Sequence, residues 1–152
     1  ATILYNDQDQ SKWEQELINR GEYYLSEASK GTVLSKYHIE ASIAFWHTRI
    51  DTNEKEKWFR ILQLYNRLLQ IEYSPIIALN RTYALSQAEN NAKALKEALK
   101  IDLQDNHLYH SLLAELYIGI DAEKQLTHLK EALSLSQNER DKTVIQRKID
   151  QF

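Results

Sequence analysis

The sequence predicts an all-α protein, and three observations support this fold class. The 152 residues include only three glycines and one proline, which is too few chain breakers for a turn-rich β fold. Apolar residues recur at steps of three and four along most of the chain, the spacing of a helix that buries one face. Helix-capping residues precede most of these apolar stripes. Because the length is typical of one domain, we expect residues 1–152 to form a single helical domain.

About eight helices are expected, each beginning at a capping residue or after a turn signal. They run from Lys12 to about Ser29, from about Ser35 to Arg49, from Asn53 to near Ile71, from Pro75 to about Ala88, from the Asn90-Asn91 turn to about Ile101, from Asp105 or Asn106 to around Gly119, from Asp121 through Leu133, and from Ser136 through Ile149. Short turns between helices make antiparallel hairpins the expected packing.

The clearest pair of helices lies between Trp58 and Ser86, on either side of a Ser-Pro step. Ser74 is expected to cap the second helix, and Pro75 then falls at its first position, where the missing N–H costs nothing. The apolar stripe of the first helix consists of Trp58, Ile61, Leu62, Tyr65, Leu68 and Leu69. The stripe of the second consists of Ile76, Leu79, Tyr83 and Ala84. These stripes predict a helical hairpin at the centre of the chain.

A degenerate internal period indicates that such hairpins are stacked. The segment from Trp58 to Tyr65 reproduces the W-x-x-L-G-x-x-Y spacing of a tetratricopeptide (TPR) first helix, with Leu62 in the place of the glycine. The same spacing returns between Tyr109 and Leu116. One hairpin cannot bury its apolar stripe alone, so neighbouring hairpins stack into a continuous core. We therefore expect a TPR-like right-handed solenoid of antiparallel hairpins rather than a closed bundle.

Composition and charge exclude several classes of protein. The formal net charge is −3 and the pI is about 6.0, with acidic and basic residues interleaved. This balance lacks the basic face of a nucleic-acid reader, so we expect no direct DNA binding. Because the chain has no cysteine, it forms neither disulfides nor thiolate metal sites.

Targeting signals are also lacking. No apolar window approaches the length of a membrane span, and the N-terminus has no signal-peptide pattern, so we expect no membrane association and a cytoplasmic location. The chain begins at Ala1 and contains no methionine, which leads us to expect a fragment of a longer protein.

No motif indicates catalysis, a cofactor or a metal ion. The chain lacks a glycine-rich phosphate loop, a nucleophile elbow and an H-E-x-x-H sequence, so we expect that it is not an enzyme. His107 and His110, with Glu115 beyond them, could hold a metal, but no third ligand is fixed by spacing and capping or core-edge roles are favoured. The acids between Asp7 and Ser11 resemble a calcium loop only faintly, since its glycine and distal glutamate are missing.

Two features allow either a structural or a binding interpretation. The nine tyrosines and three tryptophans either fill seams between helices, which we favour, or line a groove for a partner peptide. Asn80 and Arg81 interrupt an apolar segment, where a polar side chain needs a hydrogen-bond partner. Asn80 either locks its helix to a neighbour, which we favour, or faces a ligand.

Four segments, in order along the chain, carry a family resemblance. They are similar to the patterns QDRSxWD…LIxxG, YxLQAAIAAxH, WxxIxxLYxxLL and PSPVVxLNRAxA. The matching positions are Gln8, Asp9, Ser11, Trp13, Ile18 and Gly21, then Tyr37, Glu40, Ala41, Ile43, Ala44 and His47, then Trp58, Ile61, Leu64, Tyr65, Leu68 and Leu69, and finally Ser74, Pro75, Leu79, Asn80, Arg81 and Ala84. Further matches follow at His107, Leu108, His110, Glu139, Arg140 and Arg147. The chain thereby resembles the C-terminal, TPR-like extension of extracytoplasmic-function (ECF) sigma factors of bacterial RNA polymerase.

This resemblance implies a function that no single residue reveals. It implies a regulatory domain that modulates transcription initiation through contacts with RNA polymerase, with the sigma core domains of the same chain, or with a regulatory protein. Its candidate positions for a polar network or contact face are Asp9, His47, Asn80, Arg81 and His110. Departures from the family pattern occur at Gln10, Glu40, the Asn90-Asn91 turn and Leu113. The alternative is a free-standing TPR-like adaptor that binds a partner peptide in its groove.

Overall fold

The computed structural model describes residue 19 and residues 35–50 and 53–152. Within these ranges the protein consists of seven α-helices and contains no strand, which confirms the all-α prediction. The helices are α1 (Lys36–Thr48), α2 (Glu54–Ile71), α3 (Pro75–Ala88), α4 (Asn91–Ala98), α5 (His107–Leu116), α6 (Ala122–Leu135) and α7 (Glu139–Ile149). Apart from Asn19, the expected helix from Lys12 to Ser29 lies outside the described residues, and the described ranges contain seven helices rather than the expected eight.

Local capping explains where most of these helices begin. Asn53 accepts hydrogen bonds from the backbone N–H groups of Lys55 and Glu56, 2.8 and 3.2 Å away. Ser74 caps α3 with Pro75 at the first turn, and Asp121 caps α6, as the sequence predicted. Each cap satisfies N–H groups that have no partner inside the helix.

Three predicted helix boundaries were wrong, and one of them is the end of α4, which lies at Ala98 rather than near Ile101. Ser136 does not cap α7 but ends α6, with its backbone N–H donating to the carbonyl of Ala132. Asn138 caps α7 instead, accepting from Arg140 and Asp141. Similarly, α5 ends at Leu116 rather than near Gly119, which instead adopts a φ of +77° in the turn that follows, a conformation that favours glycine.

Each helix contacts the next one along the chain, and α3 also contacts α5. No helix in the described ranges has both the length and the apolar character needed to cross a membrane. The aromatic side chains Trp46, Trp58, Tyr65 and Tyr83 lie within or against the larger core, which confirms the core-packing interpretation for them. The expected seam residue Trp13 lies outside the described residues.

Helix α5 belongs to two hydrophobic cores at once. The larger core runs from Ile39 in α1 to Tyr117 just beyond α5. The smaller one joins Ala114 of α5 to α6 and to Ile145 of α7. All but two residues of α5 are buried, namely Leu108, Tyr109, His110, Ser111, Leu112, Leu113, Ala114 and Leu116. The helix is therefore enclosed on nearly all sides.

Candidate functional site

The five candidate residues do not converge on one pocket. Asp9 lies outside the described residues. His47 lies in α1, Asn80 and Arg81 lie in α3, and His110 lies in α5. The structure therefore presents three separate local arrangements, one at His47, one at Arg81 and one at His110.

His47 is the first member of a chain of aromatic rings across three helices. Its ring meets Trp58 of α2 edge-on with centroids 5.3 Å apart, and Trp58 meets Tyr83 of α3 in the same way at 5.5 Å. Edge-to-face pairs of this kind stabilise beyond the area they bury. Burial lowers the pKa of His47 to about 3, and the charge of Lys57 adds to this effect. His47 is therefore neutral near pH 7 and acts as an aromatic packing residue.

Arg81 links α3 to α2. Its Nε donates to Oδ1 of Asn66 across 2.5 Å, in a partly buried position. The sequence favoured Asn80 for a helix-to-helix lock, and the lock that the structure provides is made by Arg81. Asn66 was not predicted as the partner of Arg81, although the sequence indicates it. The two residues are almost equally far from Tyr73 in the turn, seven residues on one side and eight on the other. Residues equally far from a hairpin turn face each other when the two helices are antiparallel.

We predict that Asn66→Ala lowers the free energy of unfolding by about 1 kcal/mol, because it removes a partly buried hydrogen bond to a charged group. Asn66→Asp should retain the stability, since a carboxylate accepts from a guanidinium at least as well. Urea denaturation followed by circular dichroism measures both variants. Gln63→Ala, at an exposed position of the same helix, is the matched control. Equal losses for Asn66→Ala and Gln63→Ala would contradict the lock.

His110, which is buried, and His128, which is partly buried, form a histidine pair where α6 packs on α5. Their Nδ1 atoms are 3.0 Å apart, and Nε2 of His110 is 2.7 Å from the carbonyl oxygen of Gln104. A carbonyl only accepts, so His110 carries its proton on Nε2 and offers the lone pair of Nδ1 to the Nδ1–H of His128. The ring of His128 lies nearly parallel to that of His110 and, at 5.6 Å, to that of Tyr117. The sequence alone does not indicate His128 as a partner, because only packing brings it to His110.

Two ion pairs join α5 to α7. Lys148 Nζ lies 3.1 Å from Glu115 Oε1. His107 Nε2 lies 3.4 Å from Asp141 Oδ2, close enough for an ion pair when His107 is protonated, although the geometry is not that of a hydrogen bond. His107 and Glu115 thus have separate partners from His110. In the part of the chain that the structure describes, no three His, Cys, Asp or Glu side chains come together as a metal site.

An open groove of about 410 Å³ lies beside the smaller core, between α5, α6 and the C-terminus. Its walls include Ile118, Leu129 and Phe152, and the Glu115–Lys148 ion pair lies along it. Ile118 and Phe152 are about half exposed. The groove offers an apolar surface with one charged pair.

Comparison with known proteins adds a relative without a described function. The chain is 30% identical over 154 residues to an uncharacterized protein of Rhizobium meliloti (strain 1021). The match covers 99% of this chain but only 36% of the relative. No protein-family model matches the sequence, and no solved structure matches it.

Proposed function

We propose that this chain is the regulatory C-terminal domain of an ECF-family sigma factor and that it modulates transcription initiation through protein–protein contacts. The observation that carries the proposal is the joining of two motif segments. The segment from Ser74 to Arg81, the sharpest part of the resemblance, begins α3, and Arg81 holds α2, which bears the preceding motif from Trp58 to Leu69. The motifs thus belong to one structural unit.

The finer architecture that we propose is a TPR-like right-handed solenoid of antiparallel hairpins. Two features support it. Consecutive helices pack on each other along the chain, and the larger core passes from α1 to α5 without interruption. Such an array builds an extended surface from neighbouring hairpins, which suits contacts with large partners.

The proposed partners are RNA polymerase, the sigma core domains of the same polypeptide and, in addition, a regulatory protein. The balanced charge favours contact with proteins over contact with DNA. The same proposal includes a cytoplasmic location and no enzymatic activity.

In vitro transcription tests the proposal. A sigma factor that contains this region should initiate from its promoter with an altered yield when residues 1–152 are deleted. The isolated chain should bind RNA polymerase or the sigma core, but not promoter DNA. Unchanged transcription after the deletion, or tight promoter binding by the isolated chain, would overturn the proposal. The coding sequence upstream of Ala1 offers a further test, because the proposal requires sigma-type helices there.

The alternative is a TPR-like adaptor that binds a peptide, and the groove beside the smaller core favours it. An adaptor would bind its partner without RNA polymerase. Ile118→Glu should then abolish partner binding, whereas it should leave transcription unchanged. A start codon or an unrelated domain upstream of Ala1 would favour this second function.

A further inference from the structure

The histidine pair has properties that the proposed function does not use. It lies where α6 meets α5, and His110 is only 4% exposed. Each ring contributes a nitrogen to one shared hydrogen bond, and His110 uses its second nitrogen on the Gln104 carbonyl. The pair is therefore a polar contact within an otherwise largely apolar interface.

The hydrogen bond between the two rings limits how many protons the pair can hold. Two neutral imidazoles carry two N–H protons, and here they occupy His110 Nε2 and His128 Nδ1. A first additional proton can enter at His128 Nε2, which leaves the hydrogen bond between the rings intact. A second can enter only at His110 Nδ1, where it meets the N–H of His128 with the nitrogens 3.0 Å apart. The packed pair thus accepts one proton, whereas separated rings accept two.

We infer that the histidine pair is a proton-sensitive latch, which holds α6 on α5 at neutral pH and releases it on acidification. Separation of the rings is the only way to take up the second proton. Acid therefore favours the open arrangement over the packed one by mass action. The inference does not depend on the proposed function.

The neighbouring groups set the direction of the effect. Burial lowers the pKa of His128, the charge of His110 lowers it further, and Lys124 adds to the decrease, while Glu131 opposes it. Just beyond α5, the ring of Tyr117 stacks on His128, and Tyr109 of α5 meets His110 edge-on. On α7, the charged groups directed at α5 are occupied elsewhere, Asp141 at His107 and Lys148 at Glu115.

The direction of the pH dependence of closure follows from the lowered pKa of His128. An unfolded or released histidine titrates near 6.5, above the pKa of His128 in the packed pair. Closure is therefore fully favoured above about pH 6.5 and becomes less favourable as the pH falls below that value.

Two measurements on the whole chain test the latch. Ring proton shifts in NMR follow each histidine from pH 8 to pH 5, and amide hydrogen exchange reports the opening of α6 after correction for intrinsic rates. We expect His128 to take the first proton. We also expect α6 protection to fall about tenfold or more between pH 7 and pH 5, because a proton that only the open arrangement accepts shifts the equilibrium about tenfold per pH unit below about 6.5. Independent titration of both rings near 6.5, with α6 still protected, would overturn the latch.

Crossed variants separate the latch from His47, whose pKa is also lowered by burial. His128→Phe keeps a ring against Tyr117 but cannot titrate, so the fall in α6 amide protection between pH 7 and pH 5 should disappear. Any fall in the protection of α1 and α2, which hold His47 and its contact Trp58, should remain. His47→Phe should have the reverse effect. Lys130→Gln, at an exposed position of α6, should leave both responses unchanged. An unaltered α6 response in His128→Phe would contradict the inference; if that variant fails to fold, the wild-type ring titrations decide it.

Discussion

Replacement of Leu112 by alanine is expected to lower the free energy of unfolding by about 3–4 kcal/mol, the largest effect of any substitution considered for this protein. Leu112 is 0% exposed and lies in the middle of α5, so its lost methyl groups leave a cavity rather than a surface. The surrounding helix is enclosed on nearly all sides and can collapse into that cavity only in part. The loss therefore includes a cavity cost in addition to the transfer cost.

Urea denaturation followed by circular dichroism measures this loss. Leu99→Ala is the matched control, because it makes the same chemical change at a position that is 53% exposed. We expect the control to cost less than about 1 kcal/mol, as is usual for surface substitutions. Similar losses for the two variants would show that α5 is not the centre of the packing.

The second large effect is a loss of stability in mild acid that depends on His47. Its pKa is about 3 in the folded protein and near 6.5 when unfolded, so below pH 6.5 the unfolded chain binds a proton that the folded protein does not. The stabilising contribution is complete above pH 6.5 and is lost progressively as the pH falls toward 3. Between pH 7 and pH 5 this amounts to about 2 kcal/mol.

His47→Phe should remove this part of the pH dependence, because phenylalanine keeps an aromatic ring against Trp58 but does not titrate. Unfolding free energies measured in urea at intervals of half a pH unit, for both proteins, give the comparison. At pH 8 the two should differ far less than at pH 5. Parallel curves across the whole range would assign the acid sensitivity to other groups.

The capping residues were readable from the sequence because a cap is a local interaction. Asn53, Ser74 and Asp121 each accept from an N–H only two or three residues ahead, so no knowledge of packing is needed. The error at α7 arose because two capping-competent residues, Ser136 and Asn138, lie two positions apart. Packing decided between them: Ser136 is 4% exposed at the end of α6, whereas Asn138 is exposed ahead of α7.

The partners of the candidate residues could not be predicted from local sequence as the caps were. Asn66 is 15 residues from Arg81, and His128 is 18 residues from His110, so each contact exists only after helices have packed. His47 was a candidate by resemblance, and its polar ring suggested a network. The structure surrounds it with Trp58 and with burial that keeps it neutral. Residue type alone does not reveal such an environment.

The shared position of α5 makes the order of unfolding asymmetric. Detachment of α6 and α7 would dissolve the smaller core, whereas the buried side chains of the larger core lie in α1 to α5 and in the turns between and just after them. Detachment of α5 would remove side chains from both cores. We therefore expect α6 and α7 to unfold as a separate cooperative unit below the free energy of global unfolding. We do not expect α5 to detach before them. The membership of α5 in both cores thereby gives the protein a preferred order of unfolding, which begins at its C-terminal helices.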